Sequence, residues 1–113
     1  MKIVFTTKGD NWDSQMDPRF GRCDMFLVYD EDSNSLESIS NADVVNKEHG
    51  VGLQSAKKML NLEADIIITG NGAGEKALDI FKESDIKIYV GAGDMSVKEA
   101  YEAFKNDQLK VQF

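Results

Sequence analysis

Asp65-Ile66-Ile67-Ile68-Thr69-Gly70-Asn71-Gly72-Ala73-Gly74-Glu75-Lys76 reads as a buried strand, a glycine-rich turn and the start of a helix. Ile66, Ile67 and Ile68 are consecutive β-branched residues without polar alternation. That is the pattern of a strand buried on both faces, in a parallel sheet covered by helices. Ala73, Ala77, Ile80 and Phe81 recur near the 3.6-residue helical period, so the next helix turns one apolar stripe inward. Gly70, Gly72 and Gly74 allow a sharp turn and bring backbone N–H groups close to a guest. Such a turn at a helix N-terminus favours anions, because orphan N–H groups and the helix dipole point at them. Ligands of open α/β sheets sit beyond the carboxyl ends of the strands, which places the candidate site here. Turn formation alone also explains these glycines. The stretch matches neither the Walker loop, since Glu75-Lys76-Ala77 does not supply Gly-Lys-Ser/Thr, nor the dinucleotide fingerprint, which needs a small residue where Glu75 stands.

Working outward, Lys2–Thr7 reads as a first buried strand and Lys8 to about Cys23 as a long connection rich in turn formers. A connection of this length is uncommon in a compact domain unless it is functional. Met25–Tyr29 and Leu36–Ser40 read as an antiparallel hairpin around the polar turn Asp30–Ser35, and Asn41–Lys47 as a polar loop. A helix is expected from Glu48 or Gly50 to about Asn61, with Leu53, Ala56, Met59 and Leu60 buried and Lys57 and Lys58 facing water. Ile86–Val90 reads as a strand, and Gly91-Ala92-Gly93-Asp94-Met95 as a second glycine-rich loop. Ser96 and Glu99 form the pattern of a capping box that opens a helix with Val97, Ala100, Tyr101 and Phe104 on its apolar face. Leu109–Phe113 is a tail with a short strand in prospect. Three strand–helix alternations call for right-handed crossovers and parallel pairing. The expectation is an α/β fold with a mixed five-stranded sheet and three helices on its faces.

With 113 residues, 42% of them hydrophobic, the chain suits one folded domain spanning residues 1–113. A net charge of −7 argues against nucleic acid and anionic membrane as partners. No apolar run approaches the ~18–20 residues that cross a bilayer. The single cysteine, Cys23, precludes an intrachain disulfide and fits a reducing cytoplasm.

Both arginines of the chain, Arg19 and Arg22, fall in Asp17-Pro18-Arg19-Phe20-Gly21-Arg22-Cys23. The planar guanidinium fork suits bidentate contact with oxyanions in a way lysine does not. The alternative is two solvated arginines beside Asp17 and Asp24. Cys23 and His49 are the strongest soft or borderline metal ligands in the chain. Two ligands cannot close a tetrahedral zinc site, but they can hold a cluster whose other positions belong to water, thiols or a second protomer. A lone cysteine is also an ordinary core residue, and a lone histidine an ordinary structural one. No catalytic set emerges. Trp12 serves either as a lid over a ligand or as an apolar anchor for the first loop.

Four motifs in order carry a resemblance over nearly the whole chain: Pro18-Arg19-Phe20-Gly21-Arg22, Glu48-His49-Gly50-Val51-Gly52, Ile67-Ile68-Thr69-Gly70-Asn71-Gly72-Ala73-Gly74 and Ile88-Tyr89-Val90-Gly91-Ala92-Gly93. The chain resembles a stand-alone member of the dinitrogenase iron–molybdenum cofactor biosynthesis family, the NifX and NifB C-terminal type. The resemblance implies a ribonuclease H-like three-layer fold and a non-catalytic carrier of an iron–sulfur or iron–molybdenum–sulfur cluster, transiently bound, or of its anionic precursor. It implies cluster-assembly proteins as partners and a monomer or homodimer in the cytoplasm. It implies a cargo site at Arg19, Phe20, Gly21, Arg22, Gly50, Gly70, Asn71, Gly72, Gly74, Gly91 and Gly93, with His49 as first metal ligand and Cys23 as second. Arg19 stands where the family commonly has histidine. Thr6, Thr7 and Thr69 occupy strand positions where a ribonuclease H-type nuclease would place metal-binding carboxylates, so nuclease chemistry is not expected. Two other classes remain: a metal-free module for a small oxyanion, and a protein–protein scaffold.

Overall fold

The computed structural model describes residues 1–45 and 50–112. Among these residues six strands, β1 (Lys2–Thr7), β2 (Met25–Asp30), β3 (Ser35–Ser40), β4 (Ile66–Ile68), β5 (Lys87–Val90) and β6 (Lys110–Val111), form one sheet in the order β3-β2-β1-β4-β5-β6. Strands β1, β4 and β5 run parallel, while β2 is antiparallel to both β1 and β3, and β6 is antiparallel to β5. Among the described residues four helices accompany the sheet: α1 (Ala42–Val45), α2 (Val51–Asn61), α3 (Glu75–Phe81) and α4 (Val97–Lys105).

The isoleucine run explains the layering. Register pairs Val4 with Ile67 and Ile67 with Ile88, and these three residues share one core with Ala56 and Met59 of α2 and Ala77 and Phe81 of α3. Ile66 and Ile68 turn to the other face and pack with Ile3, Phe5, Val97 and Ala100, under α4. A strand buried on both faces has no solvent side on which polar residues could alternate. The capping box at the start of α4 is formed: Glu99 N–H donates to Ser96 Oγ, and Ser96 N–H donates to the Glu99 carboxylate.

The sheet has six strands, not the expected five, because the tail pairs Tyr89 with Val111 and Val90 with Lys110. Two residues are too few to show a period, but they cover the polar backbone edge that β5 would otherwise expose. The fourth helix is α1, one turn within the stretch expected to be loop, with Val44 buried and Lys58 of α2 ion-paired to Asp43. The buried stripe of α2 is also rotated from the expected one. Val51, Ser55, Ala56 and Met59 are buried, Leu53 is half-buried and Leu60 is 39% exposed. The rotation has a local cause: Ser55 turns inward and donates its hydroxyl to the Gly21 carbonyl at 3.1 Å. Lys58, expected in water, is partly covered and donates to Ser40 O and Asn41 Oδ1. Among the described residues no helix is long and apolar enough to cross a membrane.

Candidate functional site

The carboxyl ends of β1, β4 and β5 open into three connections: 8–24, 69–74 and 91–96. They meet at a single point. A Cβ added to Gly70 would stand 2.6 Å from Pro18 Cα and 2.9 Å from Gly93 Cα, and one added to Gly93 would stand 3.2 Å from Pro18 Cβ. Three backbones therefore pass closer here than any side chain permits. Hydrogen bonds lock the meeting: Asn71 N–H donates to Pro18 O at 2.8 Å, Gly91 N–H to Gly70 O at 3.0 Å and Ala92 N–H to Thr69 O at 3.3 Å. Beneath them, Thr6 donates its hydroxyl to Asp17 O at 2.7 Å, and the Thr6 and Thr69 hydroxyls lie 2.8 Å apart.

The arginine-bearing segment rests on this platform and is fixed at each residue. Asp17 is fully buried, and its carboxylate receives Arg19 Nε at 3.0 Å, the outer Arg19 nitrogen at 3.0 Å and the Arg19 backbone N–H at 3.0 Å. Burial pushes the Asp17 carboxyl up, but the side-chain and backbone bonds from Arg19, with the charges of Arg19 and Lys8, outweigh it and hold the group below its ordinary value. The Arg19 guanidinium is in turn raised, chiefly by its bond to Asp17. Its side chain remains 53% exposed, so one edge of the fork meets the carboxylate and the rest faces outward. Phe20 is 2% exposed and packs against Phe26 and Phe81 at centroid distances of 6.0 and 5.8 Å. It anchors the segment and does not face a guest. The Gly21 carbonyl accepts from Asn41 Nδ2 and Ser55 Oγ, both at 3.1 Å, and its Cα side lies against Gly52. Arg22 is exposed.

The glycine turns divide by role. Gly72 has φ +91° and lies against Gln112, whose side-chain amide clamps Ala73: Ala73 N–H donates to Oε1 at 2.9 Å and Nε2 donates to Ala73 O at 3.0 Å. Gly91 has φ +99° and open space around it, and Gly74 is open and precedes α3 in an extended conformation. Gly50, with φ +74°, precedes α2 and is exposed. The N–H groups of Asn71, Ala73, Gly91 and Ala92 are thus already engaged within the protein. The glycines at 70 and 93 serve close packing, and the outward groups of the rim are Arg19, Arg22, Asn71, Gly74 and Gly91.

Cys23 lies beneath the arginine segment and does not reach the surface of the rim. It is fully buried in the core under α2 and α3, and its thiol donates to Phe20 O at 3.3 Å. Burial, with the negative charge of Asp17 adding to it, pushes the thiol up to about 12, so it stays protonated at neutral pH. His49 and Glu48 lie outside the described residues. Among the described residues no three His, Cys, Asp or Glu side chains group closely enough to hold a metal ion.

A family model described as dinitrogenase iron-molybdenum cofactor matches residues 1–107. The chain belongs to the dinitrogenase iron-molybdenum cofactor family. Within solved structures, this family member is similar to the apo form of the orange protein from Desulfovibrio gigas. The identity is 28%, 97% of this chain and 91% of the other are covered, and the TM-score is 0.90. It is also similar in fold to a Thermotoga protein provisionally described as a NifB protein, at 24% identity, with 97% and 91% covered and a TM-score of 0.81. No curated protein matches this family member.

The sequence offered little sign of four residues that hold the family member's rim in place: Asp17, Asn41, Ser55 and Gln112. Asp17 sits two residues before Arg19, a spacing that permits the pair without requiring it. Asn41, Ser55 and Gln112 reach the site from 20, 34 and 39 residues away from their partners. Only the fold brings them there.

Proposed function

We propose that this protein is a small, non-catalytic carrier that holds an iron–sulfur or iron–molybdenum type cluster, or its anionic precursor, on the rim at the carboxyl ends of β1, β4 and β5. One observation carries the reading: Pro18, Gly70 and Gly93 interlock, so the only two arginines of the chain stand on a rigid platform beside two glycine turns. Membership of the family supports the class of cargo. Arg19 and Arg22 offer charge-assisted donors to a cluster's sulfide or oxide face, and Asp17 fixes the direction of Arg19. His49, the chain's only histidine, is the proposed metal ligand. Cys23, the second ligand by sequence, reaches metal only if its thiolate forms and the core around it opens. The ribonuclease H-like class belongs to the same proposal, supported by the mixed sheet with its antiparallel hairpin on one side. So do the cytoplasm as location, cluster-assembly proteins as partners and a monomeric or homodimeric state.

The test is anaerobic reconstitution with iron, sulfide and molybdate, read by visible spectrum and metal content. Stoichiometric metal with charge-transfer bands is the expected result. His49→Ala should weaken retention by about tenfold or more, the scale on which even indirect partners of a metal act. Equal loading of wild type and His49→Ala would remove the ligand role. A second reading, a metal-free module for a small oxyanion, is favoured by the sequestered thiol of Cys23 and by the paired, preorganised Arg19. It predicts a colourless product whose melting temperature rises with molybdate or phosphate, by mass action on the folded state.

A further inference from the structure

On the face of the sheet covered by α4, Trp12, Asp13, Lys98, Tyr101 and Glu102 line an open cleft of about 420 Å³. None of these five residues belongs to the arginine segment or to either glycine turn. The cleft is built before any ligand arrives. Trp12 O accepts Lys98 N–H at 2.9 Å and Ser14 O accepts Val97 N–H at 2.9 Å, so the first loop is stitched to the start of α4. The Trp12 ring is held from behind by Phe5, Tyr29 and Tyr101, at centroid distances of 6.1, 5.0 and 5.6 Å. Tyr101 is held independently, since its hydroxyl donates to the Glu31 carboxylate at 2.7 Å. Both rings stay half-buried, leaving aromatic surface in the cleft.

We infer that this cleft is a binding site for a small free organic cation with an apolar body, a quaternary or protonated amine, seated against Trp12 and Tyr101 and flanked by Asp13 and Glu102. The volume lies within the range of small-molecule sites, about 300–1,000 Å³. The electron-rich faces of indole and phenol attract cations, and Lys105 already stands 5.7 Å from the Tyr101 centroid in such a contact. The two carboxylates of the lining outnumber the one ammonium of Lys98, Lys105 is offset by its ion pair with Glu31 at 3.4 Å, and the net charge of −7 biases the surrounding field the same way. An anion meets both rings and both carboxylates unfavourably. A neutral molecule of the same size gains apolar contact alone.

Trp12 is the only tryptophan, so its fluorescence reports this cleft without a label. The experiment titrates the full chain with benzyltrimethylammonium chloride at constant ionic strength, with benzyl alcohol and benzoate as the neutral and anionic comparators. The expected result is a saturable change with a Kd on the order of 1 mM or tighter. Both comparators should bind at least about tenfold more weakly. Asp13→Asn combined with Glu102→Gln should weaken the cation about fivefold or more, and Lys98→Gln should strengthen it. All three positions are exposed, and the melting temperature verifies that the variants fold. A non-saturating response, equal binding of benzyl alcohol, or an unchanged Kd in the carboxylate variant would each overturn the assignment.

Discussion

Gly70→Ala should be among the most damaging single substitutions in this protein, lowering stability by about 3 kcal/mol, toward the upper end of overpacking costs. The reason is space, since Gly70 is not among the glycines with positive φ. The added methyl carbon would stand 2.6 Å from Pro18 Cα and 2.9 Å from Gly93 Cα, both backbone atoms that no rotamer change can move. Relief requires separating connection 8–24 from β4, which breaks the Asn71-to-Pro18 hydrogen bond and unseats Arg19. At roughly 4 °C per kcal/mol for a domain of this size, the melting temperature should fall by about 12 °C or more. Gly74→Ala is the control, because its Cβ meets nothing within 4 Å and its φ of −73° suits any residue. That variant should stay within about 1 kcal/mol of wild type. Urea midpoints settle the matter: equal stability of the two variants would mean the three-backbone contact is not the constraint proposed.

Arg19→Ala should cost about 2 kcal/mol at pH 7, the scale of hydrogen bonds to a charged group. It should also change how stability depends on pH. In the wild type the folded pKa of Asp17 is held below its unfolded value. The stability this contributes is therefore present above the unfolded pKa of about 3.9 and is lost only as pH falls through the folded value. Loss of the guanidinium takes away two of the influences that lower the group, so the folded pKa rises above the wild-type one, with burial still opposed by the backbone N–H of residue 19 and by Lys8. The gap in unfolding free energy between wild type and Arg19→Ala should therefore be widest near pH 7 and close as pH falls through the variant's folded value and then the wild type's. Asp17→Asn placed in the Arg19→Ala background should recover most of the loss at pH 7, since it removes the stranded buried charge. A gap that stays constant down to the acid limit of folding would show that Asp17 is not the group left unpaired.

The fold was legible in the sequence where burial imposed a period. The unbroken run Ile66–Ile68 announced a strand covered on both sides, and Ser96 with Glu99 announced the cap of α4. What escaped was short or long-range. Strand β6, two residues within the tail where a short strand is expected, lay outside the expected five-stranded sheet, and α1, at four residues, shows no repeat; neighbouring elements hold both. Ser55 sits on the buried face of α2, where its hydroxyl joins Asn41 in donating to the carbonyl of Gly21, 34 residues away. That the arginine segment and the two glycine turns meet at the carboxyl ends of the strands was legible, but the physical role of the glycines was not. They looked like a cradle of free N–H groups. The Asn71, Ala73, Gly91 and Ala92 amides instead bind the protein's own carbonyls and the Gln112 side chain. Arg19, expected to face an oxyanion or to be solvated beside Asp17 and Asp24, divides its fork between the buried Asp17 carboxylate and the outside.

The Gln112 clamp on Ala73 makes a turn residue kinetically part of the sheet's edge. Its side chain holds both polar groups of Ala73 while its own backbone N–H donates to Ile88 O at 2.8 Å. Lifting of the last strand therefore frees the Ala73 amide together with that of Gln112, whereas release of the exposed Gln112 side chain frees Ala73 alone. In deuterated water, Gln112→Ala should speed proton loss at Ala73, in spite of the 39 residues between them. Any cargo that stiffens the glycine turn would then slow exchange at the far end of the chain.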